Sequence, residues 1–109
     1  MSERVDPVAH LRELADTAAR SADALAEQIR AATQMVRETV QGGGTLFFCG
    51  NGGSAADAQN IATEYVVRYM RTRRPLRAIA LTTDTSLLTA AANDFSFDEV
   101  FSRQVEALG

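Results

Sequence analysis

Apolar side chains recur along residues 8–41 at gaps of three or four, which is the spacing of one face of an α-helix. The segment has no Gly or Pro and is rich in strong helix formers. A straight helix of this length would reach about 50 Å, far beyond so small a fold. We therefore expect either a break, with Ser21 and Thr33 as candidate positions, or docking of this face on another chain. This N-terminal apolar face comprises Val8, Leu11, Leu14, Ala18, Ala22, Leu25, Ile29, Ala32, Val36 and Val40.

Two short apolar runs further along the chain, residues 45–49 and 78–82, predict buried strands. Neither run alternates with polar residues, which is typical of parallel strands that are covered on both faces. Between them, a helical pattern predicts an amphipathic helix from about residue 55 to residue 70. Strand, helix and strand then form a right-handed parallel unit. Two further helices are predicted over residues 86–92 and 97–108.

This order of elements predicts an α/β fold. Two strands are too few for an independent sheet, so the chain has the appearance of the first half of an α/β domain. We expect residues 1–42 to be a helical oligomerisation segment and residues 43–109 to be the half domain. Three consecutive glycines, Gly42 to Gly44, end the first helical region.

Composition narrows the class of protein. The chain has 109 residues, one Cys and a net charge of −3, so it holds one domain at most and no internal disulfide. No apolar run approaches 18 residues, and the first residues lack the apolar core of a signal peptide. Mild acidity argues against a general nucleic-acid binder. We therefore expect a soluble cytoplasmic protein that binds neither membrane nor nucleic acid.

The strongest local motif is Gly50–Ser54, which lies between the first strand and the following helix and is called the glycine turn below. Glycines allow a tight turn and close approach of a ligand, and Ser54 occupies the expected N-cap position. The free N–H groups of a helix N-terminus suit phosphate or sugar oxygens. An ordinary strand-to-helix turn explains the same residues. The spacing matches neither a dinucleotide fingerprint nor a P-loop.

A second motif lies on the next helix, where Asp57, Asn60, Glu64 and Arg68 share one face. One interpretation is a solvated face with a Glu64–Arg68 ion pair worth a few tenths of a kcal/mol. The other is a carboxylate and a guanidinium that reach over the glycine turn. In that case Glu64 moves a proton and Arg68 binds an anion.

Other residues carry weaker signals. Cys49 ends the first predicted strand, where a small core residue is expected. Asp84 either caps the next helix or faces a ligand at the carboxyl edge of the sheet. Five arginines within ten residues indicate a solvated loop or, alternatively, a contact with an anion or a partner: Arg68, Arg71, Arg73, Arg74 and Arg77.

Several of these residues together carry a family resemblance. The sequence from Cys49 to Gln59, with Glu64, Arg68, the Asn93–Asp94 pair and residues 101–109, resembles the signature of bacterial phosphoheptose isomerases. These enzymes belong to the sugar isomerase (SIS) superfamily. The resemblance covers the chain from about Gly43 onward. It implies an SIS-type three-layer α/β/α fold with a parallel sheet, of which this chain holds the N-terminal helices and the first two strands.

The same resemblance implies a reaction and a set of site residues. The family isomerises sedoheptulose 7-phosphate for ADP-heptose synthesis, and its general base and zinc ligand falls on Glu64. The resemblance also implies a tetramer built around helices. The family's substrate contacts fall on Asn51, Gly52, Gly53, Ser54, Arg68, Asn93 and Asp94.

The chain departs from the family pattern in two ways. The family's zinc-binding His, four residues before the Glu, is replaced here by Asn60, and a neutral amide is a poor zinc ligand. The family's phosphate loop and its further metal ligands come from a second half. The single His of this chain, His10, lies on the predicted N-terminal helix. We therefore expect that this chain alone cannot build an intact zinc site.

Two classes of function follow. The first is a sugar-phosphate isomerase, favoured by Glu64. The second is a catalytically silent member of the same fold that binds a sugar phosphate or a protein such as the replication initiator DnaA, favoured by Asn60. A sugar-phosphate sensor without turnover is a variant of the second. Zinc content and isomerase turnover would separate the two classes.

Overall fold

The computed structural model describes residues 4–109. The chain divides into two compact units, one ending at Met35 and the other beginning at Val36. The boundary lies inside the second helix. In chain order the elements are α1 (Pro7–Ala24), α2 (Ala26–Gln41), β1 (Leu46–Phe48), α3 (Gly53–Val66), β2 (Ala78–Ala80), α4 (Thr85–Asp94), a 3₁₀ turn (Phe97–Glu99) and α5 (Ser102–Leu108).

The predicted N-terminal helix is interrupted at Leu25, which separates α1 from α2. Leu25 has φ −117° and ψ 16°, but its N–H still donates to the Ser21 carbonyl at 2.9 Å. The expectation of a break at Ser21 or Thr33 is wrong. Both hydroxyls donate, at 2.8 Å, to the carbonyl four residues earlier, so these side chains are accommodated within regular helix.

Most of the N-terminal apolar face is exposed in this structure, whereas Val36 and Val40 at its end are half-buried. Neither α1 nor α2 has a buried residue, and Leu11 and Leu14 are each 65% exposed. The start of α1 is well defined, because Asp6 accepts a hydrogen bond from the Val8 N–H at 3.0 Å and Pro7 follows it. None of the helices within residues 4–109 has the length and apolar character needed to cross a bilayer.

The two strands pair in parallel, as predicted. Phe47 lies opposite Ile79 in the register, and the sheet order is β1–β2. The α/β class with α3 as the connection is confirmed, although both strands are shorter than the apolar runs that predicted them. Cys49 lies just beyond β1 and is exposed, so the prediction that it is a small core residue is wrong.

Small side chains let α3 pack closely on one face of this sheet. Ala58 and Ala62 of α3 and Ala80 of β2 form the buried cluster, and Phe48 packs against it. Phe48 also stacks with Tyr65, with ring centroids 5.7 Å apart. These contacts fix the position of α3, and with it the positions of the glycine turn and Glu64.

The elements after β2 form a second buried region. Leu81 is 1% and Val100 2% exposed. Gln104 of α5 is buried, and its Nε2 donates to the carbonyls of Leu81 and Val100 at 2.9 Å each. Asp84 caps α4 by accepting from the Leu87 N–H at 3.0 Å, which supports the capping interpretation.

Candidate functional site

The glycine turn joins the end of β1 to the start of α3, and geometry requires glycine at two of its positions. Gly52 has φ +59°, a conformation that residues with a Cβ rarely adopt. A Cβ on Gly50 would lie only 2.7 Å from the Cβ and carbonyl oxygen of Ser54. Gly53 has open space around it. The turn therefore depends on Gly50 and Gly52, whereas Gly53 is free to accept a side chain.

The structure corrects the predicted role of Ser54. The N-cap of α3 is Gly52, no side chain caps this helix, and Ser54 lies inside its first turn. Hydrogen bonding begins with the Ser54 N–H, which donates to the Asn51 carbonyl at 3.0 Å. Within residues 4–109, the N–H groups of Gly52 and Gly53 have no acceptor. Because the whole turn from Asn51 is exposed, these two N–H groups are available to an oxyanion.

Glu64 lies near the other end of α3. It is half-buried, and Asn60 is exposed one turn earlier on the same face. A cavity of about 620 Å³ opens beside Glu64. The cavity is lined by one carboxylate, two phenol rings, two guanidinium groups and two apolar side chains: Glu64, Tyr65, Tyr69, Arg71, Arg73, Met70 and Leu76.

The predicted position of Arg68 on the face of this helix is wrong, because α3 ends at Val66. Arg68 instead lies in the following loop, where its Nη1 donates to the Thr72 hydroxyl at 3.5 Å. Among the ion pairs of residues 4–109, none joins Glu64 to Arg68. The ion pair of the other interpretation is therefore wrong, whereas its solvated face agrees with the exposure of Asp57 and Asn60.

Arg73 occupies the end of α3 in place of Arg68. Its Nη2 donates to the Glu64 carbonyl at 2.7 Å and its Nη1 to the Tyr65 carbonyl at 2.9 Å. These are the carbonyls that the end of a helix leaves without an intrahelical partner, and a guanidinium satisfies them well. Arg73 is thus half-buried in a structural role, whereas the other four arginines of this loop are exposed.

The glycine turn and Glu64 do not meet within one chain. Glu64 follows Gly53 by eleven residues in continuous helix, which places their backbones about 16 Å apart. The prediction that the Glu64 carboxylate reaches over the turn is therefore not supported in a single copy.

Asn93 and Asp94 form the last turn of α4, which ends at Asp94. Both are exposed, and the Asn93 side-chain amide donates to the Asp94 carboxylate at 3.2 Å. Asp94 also lines a cavity of about 390 Å³ between α4 and α5. The pair is thus prearranged at a helix end and open to a ligand, and the helix that was predicted over residues 86–92 extends to include both residues.

A zinc site does not fit the donors that the structure provides. Across residues 4–109, no group of three or more His, Cys, Asp or Glu side chains lies close enough together to hold a metal ion. Glu64 is the only carboxylate in its cavity, and its partner one turn earlier is the neutral amide of Asn60. Zinc in proteins takes thiolate, imidazole or carboxylate ligands.

Sequence reasoning missed two residues that hold the site in place. Gln104 lies four residues after buried Val100, on the same face of the chain, and a polar side chain at such a position signals a buried hydrogen bond. Arg73 gave no local signal, because its partners are carbonyls eight and nine residues earlier that the folded loop brings near.

Comparison with known proteins identifies the fold family. The family model described as the SIS domain matches residues 9–109. Phosphoheptose isomerases from Paramagnetospirillum magneticum and a Roseiflexus species are 52% and 56% identical over 99 and 94 residues. These alignments cover 91% and 86% of this chain, but only 52% and 48% of the relatives.

A solved structure gives the same result. Phosphoheptose isomerase GmhA from Neisseria gonorrhoeae superposes with a TM-score of 0.80 at 44% identity, covering 94% of this chain and 52% of that one. The chain spans about half the length of the curated relatives it matches. Since the family model covers nearly all of the described fold, this chain belongs to the SIS-domain family.

Proposed function

We propose that this chain is part of a sugar-phosphate isomerase of the sedoheptulose 7-phosphate type. The observation that carries the proposal is identity of about half of the aligned residues to proteins named phosphoheptose isomerase. The exposed N–H groups of the glycine turn support it, because they suit an oxygen-rich, anionic ligand. These relatives do not favour the alternative of a silent regulatory protein.

In this proposal, three exposed sets of residues hold the substrate: the glycine turn, the Asn93–Asp94 pair and Arg68. The N–H groups of Gly52 and Gly53 donate hydrogen bonds to the phosphate or hydroxyl oxygens of the sugar phosphate. The Asn93–Asp94 pair offers an amide donor and a carboxylate acceptor to sugar hydroxyls, and Arg68 offers a charge to the phosphate. Holding the sugar in one orientation lowers the entropic part of the barrier. The proposed substrate contacts are Asn51, Gly52, Gly53, Ser54, Arg68, Asn93 and Asp94.

Glu64 is the proposed general base. Aldose–ketose isomerisation removes a proton from the carbon that bears the hydroxyl next to the carbonyl, which gives an enediol. The proton is returned to the neighbouring carbon, while a hydroxyl proton moves to the former carbonyl oxygen, so no atom is gained or lost. A carboxylate positioned beside the substrate can carry out the carbon-to-carbon transfer. The half-buried position of Glu64 at a cavity supports this role.

The test is turnover of sedoheptulose 7-phosphate by the purified protein, followed as formation of the aldoheptose phosphate. Glu64→Gln is expected to lower kcat by about 10²- to 10⁴-fold, because it removes the base but keeps the shape. Glu106→Gln, an exposed carboxylate on α5, is the matched control and should leave turnover unchanged. Absence of product from the native protein would overturn the proposal.

We further propose that the protein is a cytoplasmic homotetramer. The exposed N-terminal apolar face supports association, since apolar surface of this extent is covered in stable proteins. Association would also allow Glu64 of one copy to approach the glycine turn of another.

Light scattering at micromolar concentration should give four times the mass of one chain. The double substitution of Leu11 and Leu14 to Glu should lower that mass, whereas Arg12→Glu on the same helix should not. A native monomer would contradict the proposal of a tetramer.

A further inference from the structure

We propose that the Asn60–Glu64 face of α3 holds no zinc, so that Glu64 works as a free carboxylate. The inference deepens the proposed function, on which the role of Glu64 rests. Metal content is measured without turnover, so failure of this inference can be told apart from failure of the isomerase proposal.

Two side chains of α3, Asn60 and Glu64, decide how many zinc ligands this part of the helix offers. Asn60 and Glu64 lie one turn apart in the regular part of α3, and side chains at this spacing have Cβ atoms about 5–6 Å apart. Two ligands at this spacing can share one metal ion. Asn60, however, offers only a neutral amide, whereas zinc takes a thiolate, an imidazole or a carboxylate. This pair of side chains therefore supplies one zinc ligand and not two.

Within residues 4–109, Glu64 lacks further metal donors around it. No metal-binding group of three acidic, His or Cys side chains exists anywhere within the described part of the chain. Cys49 precedes the glycine turn and thus lies toward the opposite end of α3. Cys49 therefore adds no second ligand beside Glu64.

Two guanidinium groups line the cavity beside Glu64. The Arg73 guanidinium is fixed against the Glu64 carbonyl at 2.7 Å, and Arg71 lines the same cavity. A divalent cation in this cavity would be repelled by both charges, and the half-buried Arg73 is less screened by water than the exposed Arg71. The same charges favour an anionic or hydroxylated ligand. The cavity is therefore better suited to a sugar phosphate without metal than to a metal ion.

The experiment measures metal in the purified native protein after dialysis against zinc and then against metal-free buffer. We expect zinc far below one equivalent per chain, and no visible bands of protein-bound Co²⁺ on titration with cobalt. Asn60→His should restore the missing ligand. It should tighten Co²⁺ and Zn²⁺ binding by about tenfold or more and produce those bands. Adding Glu64→Gln to this variant should remove the gain.

Ala56→His is the matched control, since it adds an imidazole to the same helix eight residues before Glu64, about 12 Å away along the axis. It should bind metal no better than the native protein. One equivalent of zinc retained by the native protein would overturn the inference. So would an Asn60→His variant that binds metal no more tightly than the control. Zinc-free protein without turnover would instead contradict the proposed function alone.

Discussion

Residues up to Met35 and residues from Val36 onward both contain amphipathic helices, but only the second unit buries its apolar side chains. Leu11 on α1 is 65% exposed, whereas Leu81 after β2 is 1% exposed. The same side chain thus meets solvent in one unit and a packed core in the other. An apolar pattern at helical spacing therefore predicts that a helix forms. It does not predict whether the apolar face is covered by the same chain or by another one.

This contrast has an energetic consequence. In the second unit, apolar burial within the chain contributes to folding at any protein concentration. In the first unit, the same area contributes only when another surface covers it, so its contribution rises with the concentration of chains. The two units are therefore distinguished more clearly by how the free energy of unfolding changes with protein concentration than by its value at one concentration.

The largest expected effect comes from the same substitution in each unit. Leu81→Ala should lower the free energy of unfolding by about 2–5 kcal/mol at every protein concentration, because it opens a cavity in a packed core. Leu11→Ala should lower it only where the native protein is associated. Urea unfolding at two protein concentrations, well apart, measures both. A concentration-independent loss for Leu11→Ala as large as that for Leu81→Ala would remove the distinction between the units.

The second test concerns the glycine turn of the packed unit. Gly50→Ala should lower the free energy of unfolding by about 1–3 kcal/mol, because the new Cβ would collide with the backbone of Ser54. Gly53→Ala, three residues later, meets open space and should have little effect. Thermal unfolding of the two variants provides the measurement. If both variants lost the same free energy of unfolding, the contact between position 50 and Ser54 would not be the reason why the turn needs glycine.

A smaller effect is expected for the buried amide of α5. Gln104→Ala removes two hydrogen bonds and leaves the Leu81 carbonyl without this donor, which should cost about 1–2 kcal/mol. Gln59→Ala is the control, since Gln59 is exposed and donates only to the Thr82 hydroxyl at 3.0 Å. In urea unfolding, Gln59→Ala should lower the free energy of unfolding by well under half as much as Gln104→Ala does. A larger loss for Gln59→Ala than for Gln104→Ala would show that burial does not determine how much these hydrogen bonds contribute to stability.

The sequence predicted correctly those features of the fold that depend on residues near one another in the chain. The parallel strands, the helix between them and the need for glycine at the turn follow from residues that are close in the chain. The end of α3 did not follow, because the loop folds back and places Arg73 on the carbonyls of Glu64 and Tyr65. Arg68, which fits the helical spacing, is left in the loop instead. The position of the bend at Leu25 was likewise missed, since Ser21 and Thr33 bond within their own helix.

The smallest effect is expected from removing a helix cap, and the chain has two aspartate caps that can be compared. Asp84 accepts from the Leu87 N–H at the start of α4, and Asp6 accepts from the Val8 N–H at the start of α1, both at 3.0 Å. Asp84→Ala should lower the free energy of unfolding by about 1 kcal/mol, because α4 belongs to the packed unit.

Asp6→Ala should cost less, because fraying of an exposed first turn leaves the packed unit intact. Hydrogen exchange should then show faster amides confined to the start of α1, while exchange in α4 and α5 stays unchanged. Asp→Asn at each site keeps an accepting oxygen and is the control for the lost cap. An Asp6→Ala variant that speeds exchange in the packed unit would mean that the two units unfold together, even though only one of them has a core of its own.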